Sequence, residues 1–198
     1  MSKILELDIT LQGIKPKIWR RVLVPENMTF LELHYIIQFA MGWTNSHLHQ
    51  FTVGNYERRI GVPYDDDFEE VEDSQHIKIN TLLNAPKDKI VYEYDFGDSW
   101  EHLVEVKKIH EPEAGKKYPV LIGGARACPP EDCGGIWGYQ DMVEKLQQKD
   151  PDEYEELLEW LGGEFDPEEF DLEEINEEYF DHFKKEMKEW DDMANGDY

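Results

Sequence analysis

The chain has 198 residues, 40% apolar and 13% aromatic, enough to bury a core in one domain or a domain with an appendage, so wholesale disorder is excluded. Forty-five Asp and Glu against 20 Lys and Arg give a formal charge of −25, which repels phosphate backbones and makes nucleic acid an unsuitable partner. No run approaches the ~18 apolar residues of a membrane span, Met1-Ser2-Lys3-Ile4 does not read as a leader, and two cysteines make no disulfide framework, so a cytoplasmic location away from membranes is expected.

Ile4–Leu11 and Ile18–Val24 read as strands of an N-terminal hairpin around the turn Gly13-Ile14-Lys15-Pro16, with Pro25 ending the second. Thr29-Phe30-Leu31-Glu32 is a capping box, followed by Leu33, Ile36, Ile37 and Ala40 at helical spacing and a closing Gly42. His47–Val53 alternates and pairs with Tyr56–Val62 across Gly54-Asn55, while the acidic run 65–73 reads as a solvated loop. Ile77–Leu83 is expected to form a short strand and a helical turn. Ile90–Phe96 and Trp100–Ile109 form a hairpin about Gly97-Asp98-Ser99.

From Glu111 to Ile136 the Pro and Gly content predicts loop. Beyond it everything reads as helix: Tyr139, Met142, Val143 and Leu146 share one stripe, and Tyr154, Leu157, Leu158 and Leu161 follow the start signal Asp150-Pro151. Leu172, Ile175, Tyr179, Phe183 and Trp190 line one last amphipathic helix. The predicted fold is α+β: a grasp-like roll, a mixed sheet with one packed helix, followed by an acidic C-terminal helical region. Residues 1–110 form the sheet domain, 111–137 a motif loop, and 138–198 acidic helices packed on the same body. Residues 150–198 hold 21 acids and 3 bases, so most of the negative charge sits there.

Four stretches carry more polar chemistry than a fold needs. In Gly42-Trp43-Thr44-Asn45-Ser46-His47-Leu48-His49-Gln50-Phe51, residues i and i+2 of a strand share a face, so His47 and His49 are expected to present two imidazoles together. In Tyr94-Asp95-Phe96-Gly97-Asp98-Ser99-Trp100-Glu101-His102, four ionisable groups (Asp95, Asp98, Glu101 and His102) fall within eight residues. Turn carboxylates of this kind hold a hard cation or act as an acid and a base, and an ordinary capped turn is the plainer alternative.

The third stretch is Gly123-Gly124-Ala125-Arg126-Ala127-Cys128-Pro129-Pro130-Glu131-Asp132-Cys133-Gly134-Gly135. Its spacing does not suit a zinc knuckle, and the set a zinc ion would need (His47, His49, Cys128 and Cys133) is not required by anything local, so no metal and no cofactor are expected. A stiff Pro-Pro loop with Arg126 paired to a carboxylate is the alternative to a functional role. The fourth stretch is Trp19-Arg20-Arg21, where ion pairing with the acidic half is expected. Phosphate loops, dinucleotide fingerprints, zincin helices and nucleophile elbows are absent.

The blocks Ile14-Lys15-Pro16-Lys17-Ile18-Trp19-Arg20-Arg21, Met41–Phe51, Tyr94–His102, Ala127–Gly135 and Trp160–Phe170 together resemble the plasmid pRi ORF-three-like family over residues 3–180. The resemblance implies an α+β fold and occurrence on plasmids and on bacterial or archaeal chromosomes. It transfers no catalytic residue and implies no particular activity.

Two functional classes remain open. The leading one is a non-enzymatic binding or adaptor protein, linked through the family to mobile elements, whose acidic helices meet a basic protein partner. The other is a metal-dependent enzyme with a polar cleft drawn from His47, His49, Asp95, Asp98, Glu101, His102, Arg126, Glu131 and Asp132. Trp43, Trp100 and Trp137 accompany the three central blocks and are expected to be buried beneath a shared polar surface.

Overall fold

A computed structural model describes residues 2–54, 57–63, 71–148 and 150–194. Among these residues eight strands form one open sheet: β1 (Ile4–Leu11), β2 (Trp19–Pro25), β3 (His49–Val53), β4 (Arg58–Gly61), β5 (Glu72–Asp73), β6 (Lys89–Tyr94), β7 (Trp100–His110) and β8 (Val120–Ala125). Their order is β5-β4-β3-β6-β7-β1-β2-β8, and every neighbouring pair is antiparallel except the short β4–β5 pair. The protein is therefore of the α+β class with a mixed sheet. Among the described residues no helix is long and apolar enough to cross a membrane.

Helix α1 (Phe30–Met41) begins as its capping box dictates. The Thr29 hydroxyl accepts from the Glu32 amide at 3.1 Å, and the Glu32 carboxylate accepts from the Thr29 amide at 2.7 Å. Gly42, at φ 90°, turns the chain out of the helix. Ten of the twelve residues of α1 are buried, because the helix is covered on two sides. Toward the sheet, Phe30 meets Phe51 with ring centroids 5.0 Å apart. On the far side, Phe39 stacks on Tyr179 at 5.0 Å and meets Trp190 edge-on at 4.6 Å. A fully buried ring of this kind contributes roughly 2–3 kcal/mol.

The remaining helices are α2 (Gly135–Gln148), α3 (Pro151–Leu161), α4 (Leu172–Ile175) and α5 (Phe183–Ala194). The single last helix expected from the apolar stripe is in fact broken: a π-type turn, Asn176–Phe180, follows α4 and precedes α5. The break has a cause in the sheet. Asn176 donates to the Leu121 carbonyl at 2.9 Å and accepts from the Leu121 amide at 3.0 Å, so its side chain occupies the open edge of β8.

The stretch 111–136, expected to be loop, contains β8. Gly123 and Gly124 hide that strand from propensity, yet both are needed: the Trp19 ring lies over Gly123, and a Cβ on Gly124 would come within 2.5 Å of Phe170. Ile77–Leu83 makes no strand, only an isolated bridge between Thr29 and Lys78 and a 3₁₀ turn at Ile79–Thr81. Residues 55–56 and 64–70, parts of the expected second hairpin and acidic loop, lie outside the described residues. Glu72 and Asp73, read as loop, pair with β4, and Arg58 grips Glu72 at 2.5 and 2.9 Å.

The two arginines of β2 do not pair with the C-terminal acids. Arg21 bonds Asp8 on the neighbouring strand at 2.5 and 2.9 Å. Arg20 is buried and donates to the carbonyls of Ala40, Trp19 and Ala125, with the Phe170 ring 4.6 Å away.

Candidate functional site

The segment between α1 and β3 is fixed from below by Trp43. That indole is buried against Tyr94 and Trp100, and its N–H donates to the Pro129 carbonyl at 3.0 Å, which fastens the Cys-Pro-Pro loop to the sheet. The β6–β7 turn docks on the same loop. Its Asp95 stands at φ 56°, with Oδ1 accepting from the Gly97 amide at 2.9 Å, and Asp98 accepts from the Gly134 amide at 3.1 Å. At the contact only glycine fits: Gly135 has φ +67°, and a Cβ there would lie 2.6 Å from the Asp98 carbonyl oxygen.

Three chain segments thus meet around one imidazole. His47 Nε2 lies 3.1 Å from Asp132 Oδ1, 3.8 Å from Asp95 Oδ2 and 3.9 Å from Glu131 Oε2. One ligand-capable atom from each of His47, Asp95 and Asp132 falls within 4.8 Å of the others. Glu131 is oriented by its other oxygen: Oε1 accepts from the Thr44 amide at 2.9 Å, the Thr44 hydroxyl at 3.1 Å and the Tyr94 hydroxyl at 3.0 Å. Burial, reinforced by the Glu131 charge, pushes the Tyr94 phenol upward, so it remains a donor. Glu131 Oε2 and His47 Nε2 are each sealed from solvent without a hydrogen-bond partner among the described residues. Asp132 leaves 73% of its side chain exposed, so the cluster opens to solvent on that side.

His49 does not join His47. It is buried beneath α1, stacked on His34 at 3.5 Å and 8°, and its Nε2 has no partner among the described residues. The expected common face fails because β3 begins only at His49, and the alternation rule applies inside a strand. His34 is held by the Tyr92 hydroxyl at 2.9 Å and Asn45 Oδ1 at 2.8 Å. His102 is wholly buried and contacts the Trp100 carbonyl at 3.0 Å.

Burial lowers all three of these imidazoles, His34 to about 4, His102 to about 3 and His49 well below its ordinary value, with the neighbouring His34 pressing His49 further down. All three are neutral at pH 7. Glu101 stands on β7 opposite Glu93, and Arg126 bonds Glu168 at 2.8 Å and the Pro16 carbonyl at 2.7 Å as a structural tie.

Cys128 and Cys133 are free thiols. Burial raises both, Cys133 to about 12 with Asp98 adding to the shift, and Cys128 further still despite Arg20 nearby. Neither is poised as a nucleophile. The set His47, His49, Cys128 and Cys133 is not brought together.

Thr44 and Tyr94, which orient Glu131, are not among the residues singled out from sequence. Tyr94 reads as an ordinary core position in an alternating strand. Trp43 and Trp100 are buried as expected, but Trp137 is 83% exposed. Its helix buries Gly135, Tyr139, Met142 and Leu146, and position 137 falls on the opposite face.

An open mixed sheet with one central helix, carrying a carboxylate–imidazole cluster built by loops at one end of its strands, defines an α+β protein with a candidate cation site. The chain belongs to the family described as plasmid pRiA4b ORF-3-like protein, which it matches over residues 3–174. It is 36% identical over 167 residues to the uncharacterized protein y4hQ of Sinorhizobium fredii, covering 82% of this chain and 83% of that one. The crystal structure of the protein of unknown function MM3350 from Methanosarcina mazei Go1 is similar with a TM-score of 0.78 and 41% identity, covering 87% of this chain and 96% of that one.

Proposed function

We propose that the protein binds a divalent metal ion at His47, Asp95, Glu131 and Asp132, and that the ion serves metal-dependent chemistry in a reducing cytoplasm. The observation that carries this is Glu131: three donors hold one oxygen, while the other is sealed with no hydrogen bond among the described residues, 3.9 Å from an imidazole nitrogen whose polar neighbours are carboxylates. Leaving a buried acceptor unsatisfied costs about 1–3 kcal/mol, and a bound cation removes that cost. One imidazole with three carboxylates is a hard-to-borderline donor set suited to Mn²⁺, Fe²⁺ or Zn²⁺. The open side at Asp132 leaves a coordination position for water or a substrate oxygen, which the metal would polarise as a Lewis acid.

Between the two classes open from sequence, this convergence favours the metal-dependent one. Calorimetric titration of Mn²⁺ and of Zn²⁺ into chelator-treated full-length protein is expected to show about one site. His47→Ala and Asp95→Asn should each weaken it roughly tenfold or more, with unchanged circular dichroism. Equal affinity in wild type and both variants would overturn the proposal.

A further inference from the structure

A cavity of ≈ 660 Å³ opens where the end of β2, the start of α1, the segment before β8 and the start of α5 come together. That volume suits a small organic ligand. Its floor includes Met28, Phe180 and Phe183, all buried. Around the opening stand Lys78, Lys117, Lys184 and Lys185, four ammonium groups facing two carboxylates, Glu32 and Asp181. Glu32 is already engaged as the acceptor of the α1 capping box.

This excess of positive charge runs against the whole molecule. The chain carries −25 overall, and residues 150–198 contain 3 bases among 21 acids, yet two of those bases, Lys184 and Lys185, line this opening. Lys185 is partly neutralised by Glu186 and Glu189 at 3.3 and 3.2 Å, whereas Lys78, Lys117 and Lys184 make no ion pair among the described residues. The N-terminal end of α5 also opens here, through His182 just before the helix and Phe183 and Lys184 in its first turn, and the N-terminus of this 12-residue helix adds its partial positive charge. An apolar floor beneath a ring of ammonium groups matches an amphipathic anion: the body lies against Phe180 and Phe183, and the head meets the lysines.

We infer that this cleft binds a small amphipathic anion, a phosphate or carboxylate head on a short apolar body. It is separate from the His47 cluster, with which it shares no lining residue. Half of its lysines lie beyond residues 3–174, the span matched by the family, so the chemistry need not be shared by every relative.

The test is a calorimetric titration of the full chain with octyl phosphate, octanoate, octanol and inorganic phosphate, each kept below its micellar range. Octyl phosphate and octanoate are expected to bind, the better of the two identifying the head group, with octanol and inorganic phosphate weaker because each lacks one half of the match. Lys117→Gln combined with Lys184→Gln, both exposed positions, should weaken the amphipathic anions about tenfold or more and leave octanol unchanged. His47→Ala should not affect them. No binding of either anion at about 1 mM, affinity indifferent to the lysine pair, or affinity lost with His47→Ala would each overturn the inference.

Discussion

His47 and His49 stand two residues apart and end in opposite surroundings. The first sits at a solvent-facing junction of three segments, ringed by carboxylates at 3.1–3.9 Å. The second lies under α1 with a stacked imidazole 3.5 Å away and no hydrogen-bond partner at Nε2 among the described residues. Residue type therefore does not set a histidine's task. Carboxylates beside an open face make a ligand or a base, whereas burial among rings makes a neutral spacer whose charging must be avoided.

The largest expected effect separates these two environments by pH. His34, His49 and His102 are neutral in the folded state and free to take protons near pH 6.5 in the unfolded chain. Between about pH 6.5 and 4 the unfolded state therefore binds more protons, so stability falls as the pH falls. His34 and His102 each remove roughly 2 kcal/mol by pH 5, a large share of a domain's total of about 5–15 kcal/mol, and His49 acts in the same direction. Urea midpoints measured from pH 7.5 to 5 should drop steeply. His49→Leu, which removes a buried unpartnered nitrogen, should flatten that drop. If His47→Ala flattened it instead, the contrast between the two histidines would be wrong.

A smaller effect is expected from Gly135→Ala. Its left-handed backbone and the Asp98 oxygen 2.6 Å from a Cβ leave no room for a side chain, so the β6–β7 turn must lift from the 131–135 loop. A cost of about 1–3 kcal/mol follows from strain and displaced contacts. The same variant should weaken Mn²⁺ or Zn²⁺ binding, because Asp95 and Asp132 sit on the two surfaces being separated. Lost stability with unchanged metal affinity would show that the docking of the turn does not position the ligands.

Much of the frame is legible in the residues, and the exceptions have physical causes. The α1 capping box, the Gly42 stop and the antiparallel hairpins are local grammar, decided within a few residues. Gly123-Gly124 carry no strand propensity, and only the rings of Trp19 and Phe170 pressed over them explain the edge strand. The break at Asn176 is equally non-local, because that amide serves the backbone of Leu121, 55 residues away. Within the candidate cluster, the density of His, Asp and Glu in short motifs marks Asp95, Glu131 and Asp132. Nothing in the spacing separates His47 from His49, since that depends on where β3 begins. Thr44 and Tyr94 escape notice because a donor to a carboxylate has no sequence signature of its own.

The smallest expected effect concerns Trp137. A tryptophan beside Gly134-Gly135 invites the assignment of an anchor, and Trp43 fills that part in the neighbouring block with a buried ring and a bonded N–H. Trp137 instead lies on the outer face of α2 with 83% of its surface exposed, while Ile136 turns inward to within contact of Gly13. Removing an exposed ring from a helix deletes little buried area, and alanine has the higher helix propensity, so the two changes nearly cancel. Trp137→Ala should therefore shift the urea-derived stability by no more than about 0.5 kcal/mol and leave metal affinity within a factor of about two. Wild-type fluorescence should, in turn, contain one component readily quenched by acrylamide that the variant lacks. A loss of metal affinity approaching tenfold would place the indole in the cation site and erase the distinction between the buried and exposed tryptophans.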